Sequence, residues 1–156
     1  MIKSAITHIE LIEGVALVTV CGLDDDVRKL AQIFRAIANR DVGVDMITFT
    51  PQVKNLMNLT FAVSSEELGV TVSAVGGLRR EIPGMICHIS SDNTAITLTG
   101  TAVSEDEKLV SDVMETVSSL GTAVKMICSS VNEISLVIDG HFTDEVVSCL
   151  RERYIK

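Results

Sequence analysis

The chain has 156 residues, 47% of them hydrophobic, with a formal net charge of -8 and four cysteines. That length holds one ordinary domain or two compact ones of roughly 70 to 80 residues each, with ample apolar content for a core. The acidic balance disfavours a nucleic-acid backbone as partner, since that affinity comes from clustered Lys and Arg; "LRR" at 78–80 is too small an exception. No stretch has the roughly 20 apolar residues of a membrane span, and no secretory leader is visible, so the expectation is a cytoplasmic protein with no membrane partner. Cys21, Cys87, Cys128 and Cys149 form no Cys-x-x-Cys pair and read as free thiols in apolar runs rather than metal ligands or disulfides.

In chain order, "AITHIELI" at 5–12 and "VALVTVCGL" at 15–23 read as strands. A helix follows over 24–43, with Val27, Leu30, Ala31, Phe34, Ile37 and Ala38 on one face of a 3.6-residue period. Asp24 to Asp26 mark its start, and Gly43 stands where it turns back. Strands come next at "VDMITFTP" (44–51) and at "NLMNLTFAV" (55–63), where Met57, Leu59, Phe61 and Val63 alternate with period two. The segment 64–79 contains "VTV" and three glycines, poor helix formers, yet Leu68, Val72, Val75 and Leu78 keep helical spacing and predict a helix. "GMICHIS" at 84–90 is a further strand.

The order then repeats. "NTAITLTGTA" (93–102) is a strand, and the following helix carries Val110, Val113, Met114, Val117 and Leu120 on one face. Ser104 and Glu107 have capping-box spacing at its start, and Gly121 closes it. "TAVKMICSS" (122–130) echoes "VDMITFTP", with a charged residue before Met-Ile in both. "NEISLVID" is a strand through Ile134, Leu136 and Ile138, and "GHFTDEVVSCLRERY" a last helix. Each half is thus strand, helix, strand, strand, helix. The strand at 84–90 completes βαββαβ in the first half, and 5–12 can supply the strand missing from the second. The expected organisation is a first unit at 13–90 inserted into a discontinuous second unit of 1–12 plus 91–156.

Those two units, with "IFRAIANRDVGVDMI", "ICSSVNEISLVIDGHFTDEVVSCLRERY" and the opening "AITHIE", resemble the paired ACT domains at the C-terminus of bacterial aspartate kinase. The resemblance spans nearly the whole chain. It implies an α+β fold of two interleaved ferredoxin-like units, each an antiparallel sheet with helices on one face. It further implies a regulatory module that binds an amino-acid effector, lysine or threonine, pairs as a homodimer through its sheets, and serves an aspartate kinase catalytic domain or subunit. The effector site it implies comprises Asp25, Val44, Asp45, Ile127, Ser129 and Ser130, with Asp45 meeting the ligand's ammonium group. No catalytic residue, metal or cofactor is implied.

Several residues depart from the family's pattern. Val27-Arg28 and Glu107-Lys108 replace the usual Pro-Gly pairs, whose glycine lets the backbone approach the ligand. "DDD" and "EDE" place negative charge where a ligand carboxylate would sit, Phe49 stands where a Gln is common, and Val131 replaces an acidic residue. These changes leave a second expectation open: an ACT dimerisation or interaction module that binds no ligand. An enzyme is the weakest reading. His8, His88 and His141 are scattered, and "VGGLRRE" lacks the lysine of a phosphate loop. The family's kinase domain is not among these residues, so the chain by itself is not expected to phosphorylate aspartate.

Overall fold

The structure is a computed structural model; it describes residues 5–24, 26–54, 56–101 and 103–155, with backbone alone at 51–53. The described strands are β1 (Ile6–Leu23), β2 (Asp45–Val53), β3 (Leu56–Ser64), β4 (Ile86–Gly100), β5 (Val124–Ser129) and β6 (Glu133–Asp139). The helices are α1 (Val27–Ala38), α2 (Leu68–Gly76), α3 (Leu109–Ser119) and α4 (Thr143–Tyr154). The chain divides into two compact units, Gly14–Ser91 and, from both ends of the sequence, Met1–Glu13 with Asp92–Lys156.

Two strands differ from the sequence reading. The segments 5–12 and 15–23 run on as one strand, β1, and 84–90 runs on into 93–100 as β4. Gly14 (φ 66°) and Asp92 (φ 59°) lie where each strand passes from one unit to the other. A single left-handed residue absorbs a local kink without ending the strand. Each long strand therefore serves twice.

In the 14–91 unit the strand order is β2, β3, β1, β4; in the unit formed from the two ends, called the terminal unit below, it is β1, β4, β6, β5. The registered pairs β1/β3, β2/β3, β4/β6 and β5/β6 are antiparallel. Both units are βαββαβ, and the fold is α+β.

The core of the 14–91 unit gathers Ala16, Val18 and Val20 from β1, alternate residues of β3, and Leu30, Ile33 and Ile37 from α1. The period of two puts those strand residues on one face, and the helices cover that face. The phenyl ring of Phe34 meets Phe61 edge-on at 5.8 Å. The buried stripe of α1 differs from the one expected: Ile33 belongs to it, while Val27 is 69% exposed and Ala31 and Ala38 face water. Counted from Leu30, the positions 33, 34 and 37 complete a one-sided arc, and residue 27 sits a turn before it. The reversal after α1 falls to Asp41, at φ 57°, and not to Gly43. Aspartate is among the few side chains that tolerate this conformation.

Helix α2 forms despite its composition. Ser64 Oγ accepts the Glu66 N–H, and the Thr71 hydroxyl donates to the Glu67 carbonyl at 2.8 Å, so a β-branched polar residue is buried with its bond made. Packing of Thr71, Ala74 and Val75 outweighs the weak propensity.

The terminal unit encloses Ile6 and Ile9 with Ile96, Leu98, Ile134, Leu136, Ile138 and residues of α3 and α4. The capping box expected at Ser104 and Glu107 does not form. Residues 103–105 make a 3-10 turn in which the Ser104 N–H donates to the Val131 carbonyl, and α3 starts only at Leu109. Its buried stripe is Leu109, Val113, Thr116 and Val117, with Val110 turned outward. Gly121 (φ 80°) ends the helix as read.

The seam of this unit tolerates no side chain at Gly100, where a Cβ would lie 1.7 Å from the Ala5 carbonyl oxygen. Gly43 has nothing within 4 Å of such an atom. Gly100→Ala is expected to destabilise the fold by about 2–4 kcal/mol, because backbone must move, and Gly43→Ala by less than about 0.5 kcal/mol. Urea unfolding of the two variants checks this, and equal midpoints would contradict it.

Candidate functional site

The start of α1 is set by four charges, two carboxylates and two cations. Asp26 caps the helix, its Oδ1 accepting the Arg28 N–H at 3.0 Å, and the Arg28 guanidinium also donates to both carboxylate oxygens of Asp26. Lys29 Nζ donates to Asp24 Oδ2 at 2.5 Å. The repulsion expected from "DDD" is therefore corrected: two of its carboxylates are matched by the cations that follow. The Asp26 carboxyl is held below the ordinary 3.8 first by the Arg28 side chain and then by the Arg28 N–H. Asp24 is lowered first by the hydrogen bond from Lys29. Asp25 lies outside the described residues.

The other unit has a related turn just before α3. Asp106 Oδ1 accepts the Lys108 N–H at 3.1 Å, with the same two-residue spacing as Asp26 and Arg28. An anion attracted to a helix N-terminus seeks these first amides. At the start of α1 Asp26 already occupies one, whereas Asp106 holds the amide of Lys108, the residue before α3.

Asp45 opens β2 and is exposed; its Oδ1 accepts the N–H of Met46 at 2.8 Å. Met46 has φ 49°, and the pairing of β2 with β3 shifts between Asp45 and Thr48. A long side chain in the left-handed region is strained, and here the strain coincides with a bulge that re-aims Asp45. Val44 beside it is half-buried against the core.

These residues do not meet the α1 start within their own unit. Asp45 is level with Ala62 and hence with Leu17, whereas α1 follows Leu23, six residues further along β1 and roughly 20 Å away at strand rise. The serines of the terminal unit sit differently. Ser129 lies opposite Ile134, and the Ser130 N–H donates to the Glu133 carbonyl at 2.9 Å. Ser104 bonds to Val131, so both serines stand beside the connection into α3. Ile127, 38% exposed, shares that strand. Of the expected set, Ile127, Ser129 and Ser130 are together on β5 and its exit, and Val44 and Asp45 are together at the start of β2.

The sequence reading missed Lys125 and Asn93. Lys125 occupies the place in the Met-Ile phrase that Asp45 has in the other unit. Its Nζ donates to Oδ1 of Asn93, a residue only 1% exposed. The charge inversion inside the repeated phrase was the available signal. Asn93 stands opposite Asp139, whose carboxylate is lowered first by the His141 N–H, then by its ring. His8 is paired with Glu10, and no group of three His, Cys, Asp or Glu among the described residues is placed to hold a metal. The four thiols are half-buried, and burial pushes that of Cys87 up, away from nucleophilic use. Among the described residues no helix is long and apolar enough to cross a membrane.

This architecture, two interleaved βαββαβ units with helices on one face of each sheet, is that of tandem ACT domains. No family model matches the chain. Its sequence is 27% identical over 142 residues to an aspartokinase of Geobacillus stearothermophilus, covering 91% of this chain and 34% of that protein. The regulatory subunit of aspartate kinase from Thermus thermophilus, in a ligand-free form, superposes with a TM-score of 0.88 at 21% identity, over 97% of this chain and 99% of that one. Aspartokinase III of E. coli, in complex with lysine and aspartate, superposes at 0.73 with 20% identity, over 98% of this chain and 34% of that one. The chain resembles the C-terminal regulatory region of bacterial aspartate kinases, and it spans about a third of the length of the curated relatives it matches.

The paired carboxylates set an acid limit. A carboxyl whose folded pKa lies below its unfolded value stabilises the fold above that value, and the contribution is lost as pH falls through the folded pKa. For Asp24, Asp26 and Asp139 that window opens below 3.8. Carboxyl-carbon NMR titration is expected to give midpoints below 3.8 for all three, and Arg28→Ala should move that of Asp26 upward. An unmoved Asp26 midpoint would contradict the pairing.

Proposed function

We propose that the chain is an amino-acid-sensing regulatory module of an aspartate kinase, working beside a catalytic domain in the same polypeptide or in a partner subunit. The observation that carries this reading is the match along 97% of the chain to a regulatory subunit at nearly full length on both sides. Lysine and threonine are the proposed effectors. Asp45 receives the ammonium group, and Val44 borders it. Ile127, Ser129 and Ser130 are the corresponding polar stretch of the terminal unit, and Asp25 belongs to the loop that precedes α1. The module is proposed to work as a homodimer joined through its ACT sheets, with the organisation into units 13–90 and 1–12 plus 91–156.

A second reading has its own observation in favour. Asp26 already fills an amide at the start of α1, and Lys125 is tied to Asn93, which suits a dimerisation module without a ligand. Calorimetric titration with lysine and with threonine separates the two. The sensing reading expects saturable binding that Asp45→Ala weakens by about 1.5–3 kcal/mol, the range for a hydrogen bond to a charged group. No heat with either amino acid at roughly 10 mM, a concentration only Kd values well above 1 mM evade, would sink it and leave the dimerisation module. Sedimentation tests the assembly common to both readings, with a dimer expected and a 16.8 kDa monomer the contrary result.

A further inference from the structure

The terminal unit carries a groove of about 340 Å³ between α4 and the first half of β1, lined by Leu11, Thr143, Asp144, Val147, Ser148 and Arg151. Leu11 and Val147 give it an apolar stretch. Asp144 and Arg151 stand seven residues apart on α4, two helical turns or about 10 Å along the axis. Neither of these two side chains is ion-paired or hydrogen-bonded to another described residue.

Helix polarity alone does not account for this pair. An acid in the first turn and a base in the last suit the macrodipole, but Glu145 and Arg153 already meet that demand. Nor does the fold require it. Helix α2 holds the matching place in the 14–91 unit, counted from the caps Ser64 and Asp139, and there Gly69, Ser73 and Gly76 stand where α4 has Asp144, Ser148 and Arg151.

We propose that this groove binds an aliphatic chain carrying an ammonium at one end and a carboxylate at the other, the ammonium at Asp144, the carboxylate at Arg151 and the methylenes over Val147 and Leu11. Opposite charges set two turns apart do not match the adjacent charges of an α-amino acid head group, whereas a chain of about five methylenes spans most of that distance. Guanidinium takes a carboxylate in two parallel bonds, and an ammonium is a compact partner for a single aspartate. The site is separate from Asp45 and does not depend on the effector reading.

The probe is 6-aminohexanoate, followed by amide NMR on the full chain. Saturable shifts are expected at residue 11 and at 143–151. Asp144→Asn and Arg151→Gln, with thermal melts like the wild type, should each weaken binding about fivefold or more, as loss of a partly exposed charged contact does. Hexylamine and hexanoate, each lacking one charge, should bind correspondingly worse, while Asp45→Ala should leave the titration unchanged. Absence of saturable shifts at these residues, binding indifferent to both groove substitutions, or binding lost with Asp45→Ala would each overturn the proposal.

Discussion

At Gly22 of β1 and Gly100 of β4 the backbone that leads into the other long strand comes so close that a methyl group cannot enter. A Cβ at Gly22 would lie 2.5 Å from the Gly84 carbonyl oxygen, and one at Gly100 would lie closer still to Ala5. Glycine is required there by the approach, and the approach completes each sheet. Strand β1 gives Ile6 and Ile9 to one core and Ala16, Val18 and Val20 to the other. The strand edge it fills would otherwise leave a row of unpaired N–H and C=O groups, each costly once buried. The terminal unit cannot be made from a continuous piece of sequence, because it takes the first half of β1 from the opposite end of the chain.

The same duplication explains the electrostatics. Ahead of both α1 and α3 an aspartate turns its carboxylate onto the amide two residues on, that of Arg28 in one and of Lys108 in the other, but only Asp26 is a helix cap. That cap satisfies an orphan donor locally and places negative charge at the positive end of the helix. It also takes up a donor that an external carboxylate would need. The two β-strands after these helices diverge instead: Asp45 turns onto its own Met46 amide, while Lys125 reaches a buried asparagine. One backbone position thus holds a carboxylate facing water in one copy and a tethered ammonium in the other.

The periodic parts of this structure were legible. Alternation at 57–63 and helical spacing at 109–120 reflect how often a side chain returns to one face, and both gave elements of the right type. What was lost depended on single residues or on distant partners. The segments 5–12 and 15–23 were read as separate strands, but Gly14, at positive φ, only kinks one strand that continues. Asp41, not the neighbouring glycine, took the left-handed position. The box at Ser104 failed because its amide bonds to Val131, a residue distant in sequence. For the site, Asp45 was visible through its phrase, whereas the pairing of Lys125 with Asn93 requires the folded chain. Local propensity has no access to a partner thirty residues away.

Shared strands also constrain how such a module can respond to anything it binds. Val15 and Leu17 of β1 are buried although they belong to neither hydrophobic cluster, as is Val137 of β6. A displacement of β1 over residues 15–20 must therefore be accommodated by tightly packed side chains, and close-packed interiors shift between discrete arrangements rather than deforming smoothly. Gly14 and Asp92 are the points at which β1 and β4 can turn locally, since their left-handed conformations already interrupt the regular pleat.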